Sequence, residues 1–496
     1  MLGLKYILAV RADLHTSLVP LVFPTILKSL QDDSDDVVSV AASALLSVIP
    51  TLLTCIPQEV PQLTKILWDS LLDLDDLTSS THSIMELLAG IISQPGGLQV
   101  SMSLSGALKG LVPRVFPFMS HSSIHVRKAA LETMLVLSSS KTACHWLADC
   151  ILDALRYVYQ RALLEHNGSC IALIPKLWNS LCDNTPLEPL LMAGCPWFGP
   201  WIHLISGPWN QPLEASSMIP SKTGDNVFYL GGKEVLPIVD PVEKKKYIER
   251  ARNLAAKLLG KLATFIVLPM PNIVYTENME TPFQMLLSKV LIPQLGTNSA
   301  YQKISISSII IQWAQEKEIG AGLGIQNLSE MLVRNLTVQQ NYVELAQAKA
   351  KLFSDASDYI STLKHYHCNV DESFIPPNTT VAKIQELVGD MSDNFLDNTK
   401  IRPKAIETIK TRRSGVVSAL ETYQIAEQEI QLATLSQLAA ALSCLGPEAL
   451  PEKLNPVIKP LMESIKREKN EELQSIAVKG IDFNFFFFHV LFFWIY

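Results

Sequence analysis

Residues able to do chemistry are sparse in this 496-residue chain, and their spacing suits none of the common reactive centres. A phosphate-cradling loop needs glycines spaced before a Gly-Lys-Ser or Gly-Lys-Thr step, so that backbone amides and the lysine surround the phosphates. Gly231-Gly232-Lys233-Glu234 lacks both the spacing and the hydroxyl residue, and reads as a turn. His365, His367 and Cys368 carry metal-ligand atoms, but no second ligand pair stands at zinc spacing. A polar helix end is the expectation there. Cys144, His145 and Cys150 alternate with Trp146, Ile151 and Leu155 as on a buried helix face. No nucleophile elbow, zinc-protease helix or pair of catalytic carboxylates is recognisable. The expectation is a chain with no catalytic residue, no bound cofactor and no metal.

Carboxylates are the exception to that scarcity. Asp32, Asp33, Asp35 and Asp36 fall in one short polar segment, and Asp73, Asp75 and Asp76 in another. Acids beside a helix N-terminus cap it and favour its dipole. Lined along one edge of a repeat protein, they would also present negative charge to a basic partner. These seven residues are the candidate partner-binding set. Lys244, Lys245, Lys246, Arg250 and Arg252 spread around their helix and read as a solvated face, as do Lys410, Arg412 and Arg413. Asn167-Gly-Ser, Asn335-Leu-Thr and Asn378-Thr-Thr match the glycosylation triplet, which a cytosolic or nuclear protein would not use.

Helices must position these groups. Leu18, Val19, Val22, Phe23, Ile26, Leu27 and Leu30 recur at helical spacing; the Asp32–Asp36 turn follows, and Val37, Val40, Ala41, Ala44, Leu45, Val48 and Ile49 make a second stripe. The same order returns with Leu63–Leu72, a turn at Asp73–Asp76, and Ile84, Leu87 and Leu88. It returns again with Leu111–Phe116, a turn at Ser120–Ser123 and the run Val126-Arg127-Lys128-Ala129-Ala130-Leu131, in which Ala130 should face the partner helix. A fourth pair joins Trp146–Leu163 to Ile171–Leu181. The period of about 40 residues is that of HEAT and armadillo repeats. The fold class expected is an all-α solenoid of antiparallel helix pairs. The 29 prolines fit it if they sit mostly at helix starts or in loops.

Four segments follow from this pattern: repeats over 1–207, an extended insertion over 208–242, further helical repeats over 243–482, and a tail over 483–496. Met1 opens in what reads as the second half of a helix pair, as a cut through a longer protein would. The tail, Phe483–Tyr496, is a dense aromatic run foreign to the repeat, of the kind a translated intron produces. It is shorter than the roughly 20 apolar residues that span a bilayer, so no membrane role is expected. A net charge of −7 argues against a general nucleic-acid wrap and for basic partners. Eight scattered cysteines without a CxxC pair suit a reducing compartment.

Longer stretches carry a family likeness. Leu67-Trp68-Asp69-Ser70-Leu71-Leu72-Asp73-Leu74-Asp75-Asp76-Leu77-Thr78-Ser79-Ser80-Thr81 resembles the HEAT region of the TATA-binding-protein-associated factors, Swi/Snf-class ATPases. So do Cys195-Pro196-Trp197, Arg250-Ala251-Arg252 with Ala255-Ala256-Lys257-Leu258-Leu259-Gly260, and Trp313-Ala314. The fullest match is Leu450-Pro451-Glu452-Lys453-Leu454-Asn455-Pro456 through Ile458–Lys466. The stretches keep family order up to Ile481. The resemblance implies a nuclear scaffold that grips TATA-binding protein, coupled to a motor that removes it from promoter DNA. ATP and Mg are implied only for that motor, whose phosphate loop and acidic metal-binding box do not occur in these residues. The likeness is to the central HEAT region alone. TATA-binding protein is the partner implied, promoter DNA is reached only indirectly or through the motor, and a monomer is expected. A generic HEAT adaptor, of the transport or phosphatase-scaffold kind, is the alternative that the family-specific stretches disfavour.

Overall fold

A computed structural model describes residues 1–71, 80–94, 105–140, 143–207, 240–276, 279–316, 323–338, 340–368, 379–390, 402–467, 471 and 473–481. The chain is all-α, and no strand occurs among the described residues. It divides into two compact units at Leu286/Leu287, with Glu316–Glu318 belonging to the first. Asp73, Asp75, Asp76, Asn378, Gly231–Glu234, residues 208–239 of the expected insertion and the Phe483–Tyr496 tail lie outside the described residues.

The first unit opens with α1 (Leu2–Val10), α2 (His15–Ser29), α3 (Asp35–Leu46), α4 (Ile49–Cys55), α5 (Val60–Ser70) and α6 (Ser80–Ser93). It continues with α7 (Ser105–Leu111), which runs into 3-10 turns over Val112–Ser120, then α8 (Ile124–Ser138) and α9 (Ala143–Leu164). α10 (Gly168–Asn184), α11 (Leu187–Ile205) and α12 (Pro241–Ile266) complete it. Two layers result. Helices α3, α6, α8 and α10 pack one on the next, and the 3-10 segment, α9 and α11 form the second row. Close approach in the first row depends on small residues: Ala41, Ala44, Ala129 and Ala130 are all fully or almost fully buried. Ala130 is fully buried.

Seven of the prolines are exceptions to the expected placement at helix starts and in loops. Pro20, Pro24, Pro175, Pro196, Pro200 and Pro460 lie inside helices, and Pro117 inside the 3-10 segment. Pro20, Pro24, Pro196 and Pro200 are on exposed faces, where water can satisfy the carbonyls that lose their amide partner. The expected second helix of the first pair also stops early, at Leu46, and a new helix, α4, starts at Ile49 with Pro50 in its first turn, where a missing amide costs little. Val38, rather than Val37 or Val40, is its buried valine. Among the described residues no single helix is long and apolar enough to cross a membrane. Two bent pairs, Leu2–Val10 with Ala12–Ser29 and Asp35–Leu46 with Ile49–Cys55, pass that test only together.

The second unit is built around α15 (Ala300–Glu316), α16 (Leu323–Thr337), α17 (Ala346–His365), α18 (Val381–Asp390), α19 (Pro403–Cys444) and α20 (Asn455–Arg467). Short helices α13 (Pro282–Met285), the last of the first unit, and α14 (Ile292–Leu295) flank a π-helical stretch, Leu286–Leu291. The 42-residue α19 is about 63 Å long at 1.5 Å per residue. It buries Ile409, Val416, Leu420 and Tyr423 in a cluster with Leu352, Tyr359 and Leu363 of α17 and Ile384 of α18. Further along, Leu438 to Leu442 are buried on every side.

Candidate partner-binding edge

The intra-repeat turns of the first unit form the candidate edge. Between α2 and α3 the chain reverses at Gln31–Ser34, where the Ser34 amide donates to Asp32 Oδ1 at 2.9 Å. Asp32, Asp33 and Asp36 are exposed. Asp35 and Asp36 occupy the first turn of α3, where its dipole favours negative charge. Ser34 is the N-cap, and its side chain makes no capping hydrogen bond. Asp35 differs from its neighbours. It is half-buried and accepts a hydrogen bond from Ser80 Oγ of α6 at 3.2 Å, beside a Ser39–Ser83 hydroxyl pair at 3.0 Å.

Two turns further on, polarity is turned inward. Arg127 donates through Nε and Nη2 to the two oxygens of Glu165 at 2.8 and 3.0 Å, a forked pair. Its Nη1 donates to the carbonyls of His121 and Ser122 in the preceding turn. Arg161 Nε lies 3.2 Å from Glu165 Oε2, and Arg161 Nη1 donates to Met119 O at 2.9 Å. The amides of His166 and Asn167 complete the shell of Glu165 Oε1. All three charged side chains are almost wholly buried. Burial pushes the Glu165 carboxyl up, but the Arg127 hydrogen bonds, the Arg161 charge and the Asn167 amide outweigh it and hold the group below the usual carboxylate range. Glu165 is therefore an internal brace between successive turns, unlike Asp32 and Asp33. Nothing at a polar turn in sequence distinguishes the two; the only hint was the arginine inside the Val126–Leu131 run.

Other singled-out residues also resolve into structure. His367 sits at φ 57 just past α17; its amide bonds Lys364 O and the Cys368 amide bonds Leu363 O. This is a helix stop of the left-handed kind, in agreement with the polar-helix-end expectation. No group of three or more metal-ligating side chains occurs among the described residues. Asn167 caps α10 by accepting from the Ser169 and Cys170 amides. Asn335 is buried, donates to Leu295 O and Met331 O, and accepts from Lys303 Nζ at 2.7 Å. Two arginines read as solvated are not: Arg252 is buried against Gly207 O, and Arg413 donates twice to Val388 O at the end of α18. Both satisfy carbonyls contributed by segments distant in sequence, which helical periodicity cannot reveal.

Residues 228–482, more than half of the chain, match the family described as Domain of unknown function (DUF3535). Human TATA-binding protein-associated factor 172 is 34% identical over 504 residues, covering 97% of this chain and 27% of that protein. Arabidopsis thaliana TATA-binding protein-associated factor BTAF1 is 24% identical over 573 residues, and Saccharomyces cerevisiae TATA-binding protein-associated factor MOT1 is 23% identical over 548. Each match covers 97% of this chain and 28% of the relative. The chain thus spans little more than a quarter of the length of these relatives. An engineered protein of solved structure aligns over 92% of this chain and 98% of its own at 13% identity, with a TM-score of 0.32, too loose to bear on the fold. By the matched domain the chain belongs to the DUF3535 family, and 97% of it aligns with one stretch of these TATA-binding protein-associated factors.

Proposed function

We propose that the chain is a protein-interaction scaffold of a nuclear transcription regulator, and that it binds TATA-binding protein. The names of the relatives support the partner. The exposed carboxylates Asp32, Asp33 and Asp36, grouped on one turn of a helical stack, support the mode: an acidic rim that draws in a basic surface. Asp73, Asp75 and Asp76 extend the proposed rim in sequence. Promoter DNA is reached indirectly, or through an ATPase motor in a full-length protein of this family, which the scaffold couples to TATA-binding protein. On this reading the 496 residues themselves turn over no ATP and act as a monomer away from membranes.

The test is the association rate with TATA-binding protein, for wild type and for a variant carrying Asp32→Asn, Asp33→Asn and Asp36→Asn, at 50 and 200 mM salt. Asp35 is left intact because it bonds Ser80. The variant should associate about threefold more slowly at low salt, and the difference should shrink at high salt, since rim charges act mainly on encounter. Equal rates at low salt for two equally helical proteins would overturn the acidic rim.

A further inference from the structure

Between α12 and α13, at the end of the first unit, runs Pro269-Met270-Pro271-Asn272-Ile273-Val274-Tyr275-Thr276. Its first half is a tight turn. The Ile273 amide donates to Met270 O at 3.3 Å, Pro271 stands at the second position, and Asn272 at the third has φ 68. That combination marks a type II turn, whose third position demands a left-handed residue. The Met270 amide in turn donates to the Tyr275 hydroxyl at 3.1 Å, pinning the outgoing chain back onto the turn.

What the turn presents is unusual for this protein. Ile273, Val274, Tyr275 and Thr276 are all β-branched or aromatic, the types best suited to strands, in a chain with no strand among its described residues. They lie in neither helix nor turn. Val274 is 85% exposed and Ile273 45%, with Met279 and Met285 exposed nearby. The amides of Val274, Tyr275 and Thr276, and the carbonyls of Ile273, Val274 and Tyr275, make no hydrogen bond within the described residues. A merely solvated loop has no need of four strand-forming residues, and exposing a valine so fully gains nothing in water. Open main-chain groups and alternating apolar side chains are what strand addition to a sheet edge requires. The turn and the Tyr275 pin reduce the ordering cost of that step.

We propose that Ile273–Thr276 adds as a strand to an open sheet edge of a protein partner. On the reading above that partner is TATA-binding protein, which contacts DNA through β-strands; the inference rests on that reading. Hydrogen–deuterium exchange of the full chain, alone and saturated with TATA-binding protein, tests it. The amides of residues 274–276 should exchange about tenfold more slowly in the complex. Val274→Pro, which deletes one donor, should weaken affinity about tenfold, whereas Val274→Thr, which keeps the donor and the branch, should stay within about twofold. Binding with unchanged exchange at 274–276 overturns the strand and leaves the scaffold reading standing, and so does binding that Val274→Pro does not weaken. No binding by the wild type overturns both. If Val274→Pro fails to fold, the exchange measurement on the wild type decides alone.

Discussion

In the Met1–Leu286 unit a buried acid is shared by two arginines, whereas in the second unit a buried lysine rests against an amide. Glu165 receives Arg127 and Arg161 together with two backbone amides. Lys303, 1% exposed, donates to the neutral Asn335 Oδ1, with the Tyr342 ring 5.8 Å away. Glu344, whose charge acts on it, directs its oxygens to Ser299 Oγ and to the Ala300 and Tyr301 amides at the start of α15. Burial lowers the Lys303 amine to about 8, and the Glu344 charge only partly opposes that shift. A charge with its counter-charge in contact stays ionised and ties turns together. An amine given only a neutral acceptor can release its proton within the alkaline range.

The sharpest way to break this contrast is to remove the shared acid. Glu165→Ala leaves two buried guanidiniums without their counter-charge and should cost about 3–5 kcal/mol. Urea denaturation of wild type and variant measures the loss; a change below about 1 kcal/mol would mean the cluster is solvated. Next in size is the lysine. Below about pH 8 its amine is protonated in the folded and unfolded chain alike, so its burial penalty is fully present. Between about 8 and the usual 10.5 the unfolded chain holds more protons, so stability rises with pH; above that window the penalty is gone. The rise should be ~3 kcal/mol, since each pKa unit corresponds to about 1.4 kcal/mol. Lys303→Met should lack it, and the difference between the two proteins at pH 7 and pH 10 isolates this one group. The smallest effect belongs to the Ser80–Asp35 bond. Ser80→Ala should cost about 1 kcal/mol in thermal denaturation and leave both buried charges undisturbed.

The repeat frame was legible in sequence because apolar spacing and short polar turns are local signals. The helices expected from Leu63, over Trp146–Leu163 and over Pro403–Leu445 correspond to Val60–Ser70, Ala143–Leu164 and Pro403–Cys444. Other features are set by what packs on them. Leu187–Ile205 contains Pro196 and Pro200, so propensity argues against the helix that its neighbours nevertheless bury. Leu286–Leu291 winds into a π-helix that no periodicity foretells. Of the candidate rim, the placement of Asp32 and Asp33 in a surface turn was legible, whereas Asp35 and Asp36, expected in the same turn, already belong to α3. The role of Asp35 was not legible, because its partner Ser80 stands 45 positions away. Glu165 was invisible for the same reason, its brace Arg127 lying 38 positions back.

Those separations have a kinetic consequence. Within the first unit many tertiary hydrogen bonds join residues about one repeat apart: Asp35 with Ser80, Met85 with Thr133, Met119 with Arg161, Ser138 with Ser180, Tyr159 with Trp201; Tyr247 with Leu163 reaches 84 positions. None of these bonds needs a distant end of the chain. Each repeat can lock as soon as the following forty or so residues exist, which at 5–20 residues per second of synthesis is about 2–8 s on the ribosome. Contacts this local favour fast closure and allow folding to start at any repeat. The first unit is thus built to fold in the order in which it is made, each repeat serving as the template surface for the next.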